Sequence, residues 1–328
     1  MSRKTAFGAI LGLFLWSVAG AQPSQAAGLT IGYSDWPGWV AWQVAIDKGW
    51  LKEAGLDVSF QWFDYSASMD AFAAGKIDAN LMTNGDTLVT GSGGGKGIII
   101  MATDYSNGND TVIAKPGIKD IKALKGKKVG VEVGLVDHLL LLDAFKKSGM
   151  SPKDVTLVNA KTNELPQVLA SGQVDAVACW QPIAGQAMKG VPGSRPVWTS
   201  KQSPGLIYDV LAVSPTKLAA NKDAWIKLIK VWGKVVSYIN DPKTQPDALK
   251  IMSARVGLTP DTYKPLLGGT KLLDLKANVS VFKKGAGLSS MYGSTKIADD
   301  FNVANAVYKK SEDVDSYIDP SFVGTAAK

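Results

Sequence analysis

The sequence predicts an α/β fold of two lobes, each a mainly parallel sheet covered by helices, joined by two crossing strands. Three observations carry this. Short apolar or β-branched runs alternate with amphipathic helical stretches from residue 29 to about 200, the pattern of parallel sheets with covering helices. Two β-rich segments, Asp110–Ala114 and Ile207–Val213, break that rhythm, and a proline follows each, as expected of strands that pass between lobes. Beyond Pro215 the periodicity turns helical.

The elements follow in order. Arg3 and Lys4 precede an apolar run, Ala6–Ala19, that is shorter than the roughly 20 residues of a membrane span. Small-x-small sites come next at Ala19-Gly20-Ala21 and Ser24-Gln25-Ala26, so residues 1–26 read as a secretory signal peptide, without a cysteine to carry a lipid anchor. Leu29–Tyr33 is the first strand, and Trp42–Leu51 an amphipathic helix with a glycine stop at Gly55. Val58–Trp62, Ile77–Leu81 and the fully apolar Gly97–Ala102 are strands, separated by helices at Ala67–Ala74 and Thr87–Thr90. Lys128–Val133, Val155–Val158 and Val174–Cys179 repeat the theme around helices His138–Lys147 and Leu165–Ala170. Helices Ala224–Ile239, Pro246–Arg255 and Pro260–Leu267 lead into a helical or irregular tail. The expected division is lobe one at 28–114 plus 212–328 and lobe two at 115–211, with the two crossings as the hinge of a closing cleft.

The charge excludes several function classes. The formal charge of +7 falls to +5 once Arg3 and Lys4 are set aside, and the excess is lysine scattered in pairs, the pattern of a solvated surface. No basic run is interleaved with aromatics, so no nucleic acid partner is expected. Cys179, in an apolar strand, and His138 are the sole cysteine and histidine. A His/Cys metal site therefore lacks ligands, and a Ser-His-Asp triad would rest on His138 alone. No loop has the spaced acids of a calcium site. Neither a cofactor nor a metal is called for.

Ligands of α/β proteins bind beyond the carboxyl ends of strands. Here those ends carry acids and indoles, and after the leader only Arg195 and Arg255 remain as arginines. The run GYSDWPGW (32–39) presents Trp36. WFDYSAS (62–68) presents Asp64, and MTNGDTL (82–88) presents Asp86, either of which also suits a helix cap. TDYSNGND (103–110) places Asp110 at the first crossing, and Asp209 lies on the second. In VEVGLVDHLLL (131–141), Glu132 and Asp137 occupy a helix start, where a carboxylate gains from the dipole and repels an anion. ACWQP (178–182) presents Trp180, whose indole is a platform for a planar cation worth roughly 1–2 kcal/mol when desolvated. The candidate ligand set is thus Trp36, Trp180, Asp137, Glu132, Asp86 and Asp64, with Asp110 and Asp209 behind them. Weighed against capping, Asp35 and Asp104 rank low; His138 counts chiefly as a helix-start residue, and Asp78 and Asp175 fall at the wrong end of the sheet.

Together these runs resemble the periplasmic substrate-binding proteins of nitrate/sulfonate/taurine-type ABC transporters. The resemblance spans the mature chain through the opening strand, the A-x-G-x-x-D pieces at 73–78 and 170–175, LKGKKVGV at 124–131 and ACWQP. GYSDWPGW, FDYSASMDAF, MTNGD, DYSNGND, VEVGLVDHLLL and LIYDVLAVSP resemble the branch associated with urea carboxylase-type enzymes. The resemblance implies a type II periplasmic binding protein fold that closes over one small solute and docks, as a monomer in the periplasm, on a membrane permease. The branch implies a guanidine-like or urea-like solute, whereas the wider family's oxyanions call for arginines that this chain lacks. Guanidinium is a planar cation with donors only, and burying it without counter-charge is very costly. Acids and indoles therefore favour it over urea or another small amide or amine, and further over nitrate, taurine or a sulfonate. The same fold hosts pyrimidine-synthesising enzymes that depend on histidine and cysteine; with one of each, no enzyme is expected here. A ligand-sensing adaptor for a membrane receptor is the other use of such a lobe pair.

Overall fold

The computed structural model describes residues 28–328; the expected signal peptide lies outside the described residues. Eleven strands are present among them: β1 Leu29–Tyr33, β2 Val58–Trp62, β3 Ala79–Thr83, β4 Ile98–Ser106, β5 Asp110–Ala114, β6 Lys128–Val131, β7 Thr156–Asn159, β8 Ala176–Trp180, β9 Arg195–Thr199, β10 Tyr208–Val213 and β11 Thr270–Leu272. They form a six-stranded sheet in the order β11-β4-β10-β3-β1-β2 and a five-stranded sheet in the order β7-β6-β8-β5-β9. In each, a parallel half meets an antiparallel half. β1 runs parallel to β2 and β3, and β10 runs antiparallel to β3 and β4. β6 runs parallel to β7 and β8, and β5 runs antiparallel to β8 and β9.

The chain passes from the first sheet to the second between β4 and β5, at residues 107–109, and returns between β9 and β10. Hydrogen bonding thus assigns residues 110–114 to the second sheet and all of 208–213 to the first, a shift of a few residues from the expected division. Alternation of apolar residues marks a strand but not its partner, so the sequence left that assignment open. Two further differences are local. The helix expected over Trp42–Leu51 breaks into Trp42–Asp47 and Trp50–Glu53, because Gly49 adopts φ +70° in the left-handed region that glycine tolerates. The strand that ends at Ala102 in the sequence reading continues through Asp104 to Ser106.

Helices cover both sheets. The longest, Lys222–Asn240, buries Trp225, Leu228, Ile229, Trp232, Val235, Val236 and Ile239, an i, i+3, i+4 stripe. Trp232 lies 5.0 Å from Trp42, ring centroid to centroid, and donates its indole N–H to the Leu273 carbonyl at 2.9 Å. β4 needs help at its edge, since β11 is only three residues long. Past its end the Asn278 side chain stands in for a strand: its Oδ1 accepts from Ala102 N at 2.8 Å and its Nδ2 donates to Ala102 O at 2.9 Å. Asn278 is fully buried, so Asn278→Ala leaves two backbone groups of β4 unpaired. The expected loss is about 1–3 kcal/mol of unfolding free energy, checked by urea denaturation; an unchanged midpoint and slope would discount the Asn278 pairing.

Candidate ligand site: a buried acid cluster between the sheets

Register brings the acids to one rim. Antiparallel strands begin where their parallel neighbours end, so the starts of β10 and β5 share a level with the carboxyl ends of β3 and β8. Asp209, second in β10, pairs with Thr83 at the end of β3 on one side and with Asp104 of β4 on the other. Asp110, first in β5, pairs with Trp180 at the end of β8. Two helix starts add the rest. Asp86 lies in the first turn of the helix Asn84–Ser92 after β3, and Asp137 in the first turn of the helix Val136–Lys147 after β6. Three carboxylates thus come from the first sheet's side and two from the second's.

All five are at most 2% exposed. No ion pair among the described residues reaches any of them. Both oxygens of Asp137 and one each of Asp110 and Asp209 are buried without a hydrogen-bond partner. The partners that exist hold the cluster in place. Tyr65 donates its hydroxyl to Asp86 Oδ2 at 2.7 Å and accepts from Thr83 N at 3.1 Å. Trp36 donates Nε1–H to Asp104 Oδ1 at 3.0 Å, and Thr103 donates to Asp104 Oδ2 at 2.8 Å. Gly38 has to be glycine, because a β-carbon there would collide with the Asp104 carboxylate. The helix cap at Asn84–Ser92 is Thr83, which accepts from Asp86 N, leaving the Asp86 carboxylate free to face the cluster's centre.

Burial without counter-charge raises every one of these acids. It pushes Asp86, Asp104 and Asp110 to about 7, against hydrogen bonds that partly relieve the first two and Ser106's bond to the third. Burial lifts Asp137 well above the ordinary carboxylate range, and the charges of Asp110, Asp86 and Glu132 lift it further. Asp209 is raised in the same way, by burial first and then by Asp104, Asp110 and Asp86. Asp104 and Asp209 also act on each other, and their contact lowers Asp104 and raises Asp209.

Aromatic rings wall the cluster. Tyr65 stacks on Trp39 at 5.3 Å and meets Trp180 edge-on at 5.3 Å, while Trp36 leans on Trp39 at 6.4 Å. Trp180 donates its indole N–H to Asp35 Oδ1 at 3.1 Å. Of the expected ligand set, Trp36, Trp180, Asp86, Asp110, Asp137 and Asp209 converge here. Asp64 and Glu132 do not; they line a separate cavity at the mouth, with Asp64 exposed and Glu132 bonded to Thr162 N and Oγ1 at 3.0 and 2.9 Å. Asp104, ranked low from sequence, sits inside the cluster, and Tyr65 carries no sequence signal that separates it from a core tyrosine. His138 packs on Phe301 with its Nδ1 accepting from Gly134 N, and burial lowers it to about 4. Asp78 bonds Thr30 and Lys217, and Asp175 bonds Lys128 N, both remote from the cluster.

The architecture is shared with solved structures. The alkanesulfonate-binding protein of Xanthomonas axonopodis pv. citri superposes with a TM-score of 0.74 at 17% identity, covering 90% of this chain and 98% of that one. The periplasmic nitrate-binding protein of Synechocystis PCC 6803 gives 0.76 at 13% identity, covering 92% and 89%. A desulfurization enzyme shares the fold at 0.65 and 15% identity, covering 92% and 98%. By sequence, a Brucella abortus (strain 2308) protein named only as a binding protein is 33% identical over 196 residues, 59% of this chain; the match spans just 60% of that relative's length. The taurine-binding periplasmic protein of Escherichia coli (strain K12) is 26% identical over 169 residues, 51% of this chain and 52% of that one. A family model described as NMT1/THI5 like matches residues 36–223, more than half of the chain, and the protein belongs to that family.

Proposed function

We propose that the protein is the periplasmic solute-binding component of an ABC importer, capturing a small planar nitrogen-rich cation, guanidinium, between its two lobes. One observation carries the reading: five buried carboxylates converge from both sheets, several oxygens lack any partner, and no cation among the described residues pairs with them. An uncompensated buried charge costs several kcal/mol. A cation supplied from outside, with N–H donors in one plane, meets the free oxygens of Asp137, Asp110 and Asp209, while Trp36, Trp39 and Trp180 bound it with rings. Because the acids come from both sheets, the cation favours lobe closure by bridging them. Urea brings no charge, and the sulfonate, taurine and nitrate of the relatives' names would meet carboxylates where they need donors. The two arginines among the described residues are engaged elsewhere, Arg195 with the Lys119 carbonyl and Arg255 against Trp62 and Tyr33. The chain's chemistry suits binding rather than catalysis, since the Cys179 thiol is fully buried and pushed well up by that burial.

Calorimetry tests the ligand. Guanidinium is expected to bind with at least about a hundredfold preference over urea, roughly 2.7 kcal/mol, and taurine and nitrate to give no heat. Comparable taurine binding would sink the proposal. Asp137→Asn, which removes the acid with two unpartnered oxygens, should weaken guanidinium binding by more than about tenfold, or roughly 1.4 kcal/mol; an unchanged affinity takes Asp137 out of the ligand shell.

The pH dependence has a definite sign. Asp86, Asp104 and Asp110 are raised from 3.8 to about 7 in the folded form. That form binds more protons than the unfolded chain between these values, so its stability is full below about 4 and is lost as pH rises through 7. His138, lowered from 6.5 to about 4, opposes this with a single proton. A bound cation favours the ionised acids and reverses the trend. Differential scanning fluorimetry should show the cation-free melting temperature falling from pH 5 to pH 8 while the guanidinium-induced rise grows over the same range. A guanidinium shift that is independent of pH would rule out ionised acids as its partners.

A further inference from the structure

Outside the sealed cluster, a cavity of about 70 Å³ opens between the lobes, lined by Ser34, Asp35, Asp64, Glu132, Tyr65 and Trp180 among others. It differs in kind from the cluster. Its three acids reach it from both sides, Asp35 and Asp64 following strands β1 and β2, and Glu132 following β6. No lysine or arginine lines it. Among its lining residues Ser34 is 2% exposed, and its hydroxyl is buried without a hydrogen-bond partner. Tyr65 and Trp180 form both its inner wall and part of the cluster's outer wall.

Resting on the reading of a cationic ligand, we propose that this mouth cavity is a separate outer station, where the cation is first held by Asp35, Asp64, Glu132 and the Ser34 hydroxyl before it passes Tyr65 and Trp180. Asp64 is free to serve, since it heads the helix Tyr65–Ala73 without making a side-chain cap bond. Glu132 is oriented by the two Thr162 bonds already described. Ser34 supplies the acceptor oxygen that a donor-only cation requires. Acids at a concave mouth raise the local concentration of cations and accelerate association, an effect that salt screens. Rim charges of this kind act on the association rate more than on dissociation.

Stopped-flow tryptophan fluorescence with guanidinium chloride tests this across a series of sodium chloride concentrations. Asp64→Asn and Glu132→Gln together should slow association about three- to tenfold at low salt and flatten its salt dependence, with dissociation changed less than about twofold. Ser34→Ala should slow association without altering the salt slope. Asp70→Asn, which repeats the single charge change of Asp64→Asn on an exposed residue of the helix Tyr65–Ala73, should leave association unchanged. If the wild type binds guanidinium and the double variant associates at the wild-type rate, or Asp70→Asn slows it equally, the outer station is overturned while the cationic ligand stands. If the wild type does not bind guanidinium at all, both fall.

Discussion

The structure turns on the cost of taking five carboxylates out of water without a protein cation beside them. Each alone would be tolerable as a neutral acid, and burial drives all five in that direction. Together they repel, so the closed arrangement holds only with shared protons or with a positive charge among them. The surrounding hydrogen bonds orient the acids without neutralising them. Tyr65 and Trp36 each give one neutral donor, and a neutral donor relieves only part of the desolvation of a carboxylate. Removing the charges would stabilise the protein, and in the proposed function a cationic ligand relieves the strain they impose.

The sheets explain why the acids meet. An all-parallel sheet would offer its ligand only residues beyond strand ends. Here β10 and β5 run the other way, and their first residues enter the same rim from inside the hydrogen-bonded lattice. Asp209 and Asp110 are therefore held by strand pairing rather than by loops, and Asp104 is fixed by its register with Asp209. Positions on strands move less than positions on loops, which suits a small ligand that must be recognised by in-plane hydrogen bonds.

Much of this was legible in the sequence, and the rest was not for physical reasons. The β-α alternation located seven of the strands, because apolar runs bounded by glycine or polar turns leave few alternatives, and the two β-rich segments that break it gave β5 and β10. β9 and β11 escaped: Arg195-Pro196 reads as a loop, and Thr270–Leu272 is too short to show a period. Trp36, Trp180, Asp86 and Asp137 were identifiable because they follow strands directly. Asp104 was not, since an aspartate beyond an apolar run looks like a loop residue, and only its pairing with Asp209 reveals that β4 continues. Asp64 and Glu132 follow strands just as closely, yet they stop at the mouth. How far a side chain penetrates depends on the turn after the strand, and Gly134, at φ +93°, shapes the turn after β6 without announcing its direction.

This architecture is shared with proteins named for anions, yet in this chain buried acids gather where its strands end. Proteins named for alkanesulfonate and nitrate share the fold at TM-scores of 0.74 and 0.76, with 17% and 13% identity. A fold of this kind offers helix N-termini at the cleft, which favour anions by default. In this chain the helix Val136–Lys147 begins at the cleft, and Asp137 sits in its first turn. Neither oxygen of that side chain is bonded to a free amide of the helix, so an anion approaching this helix start meets a carboxylate. With Asp86 in the first turn of the helix Asn84–Ser92, both helix starts present carboxylates, the arrangement on which the proposed preference for a cation rests.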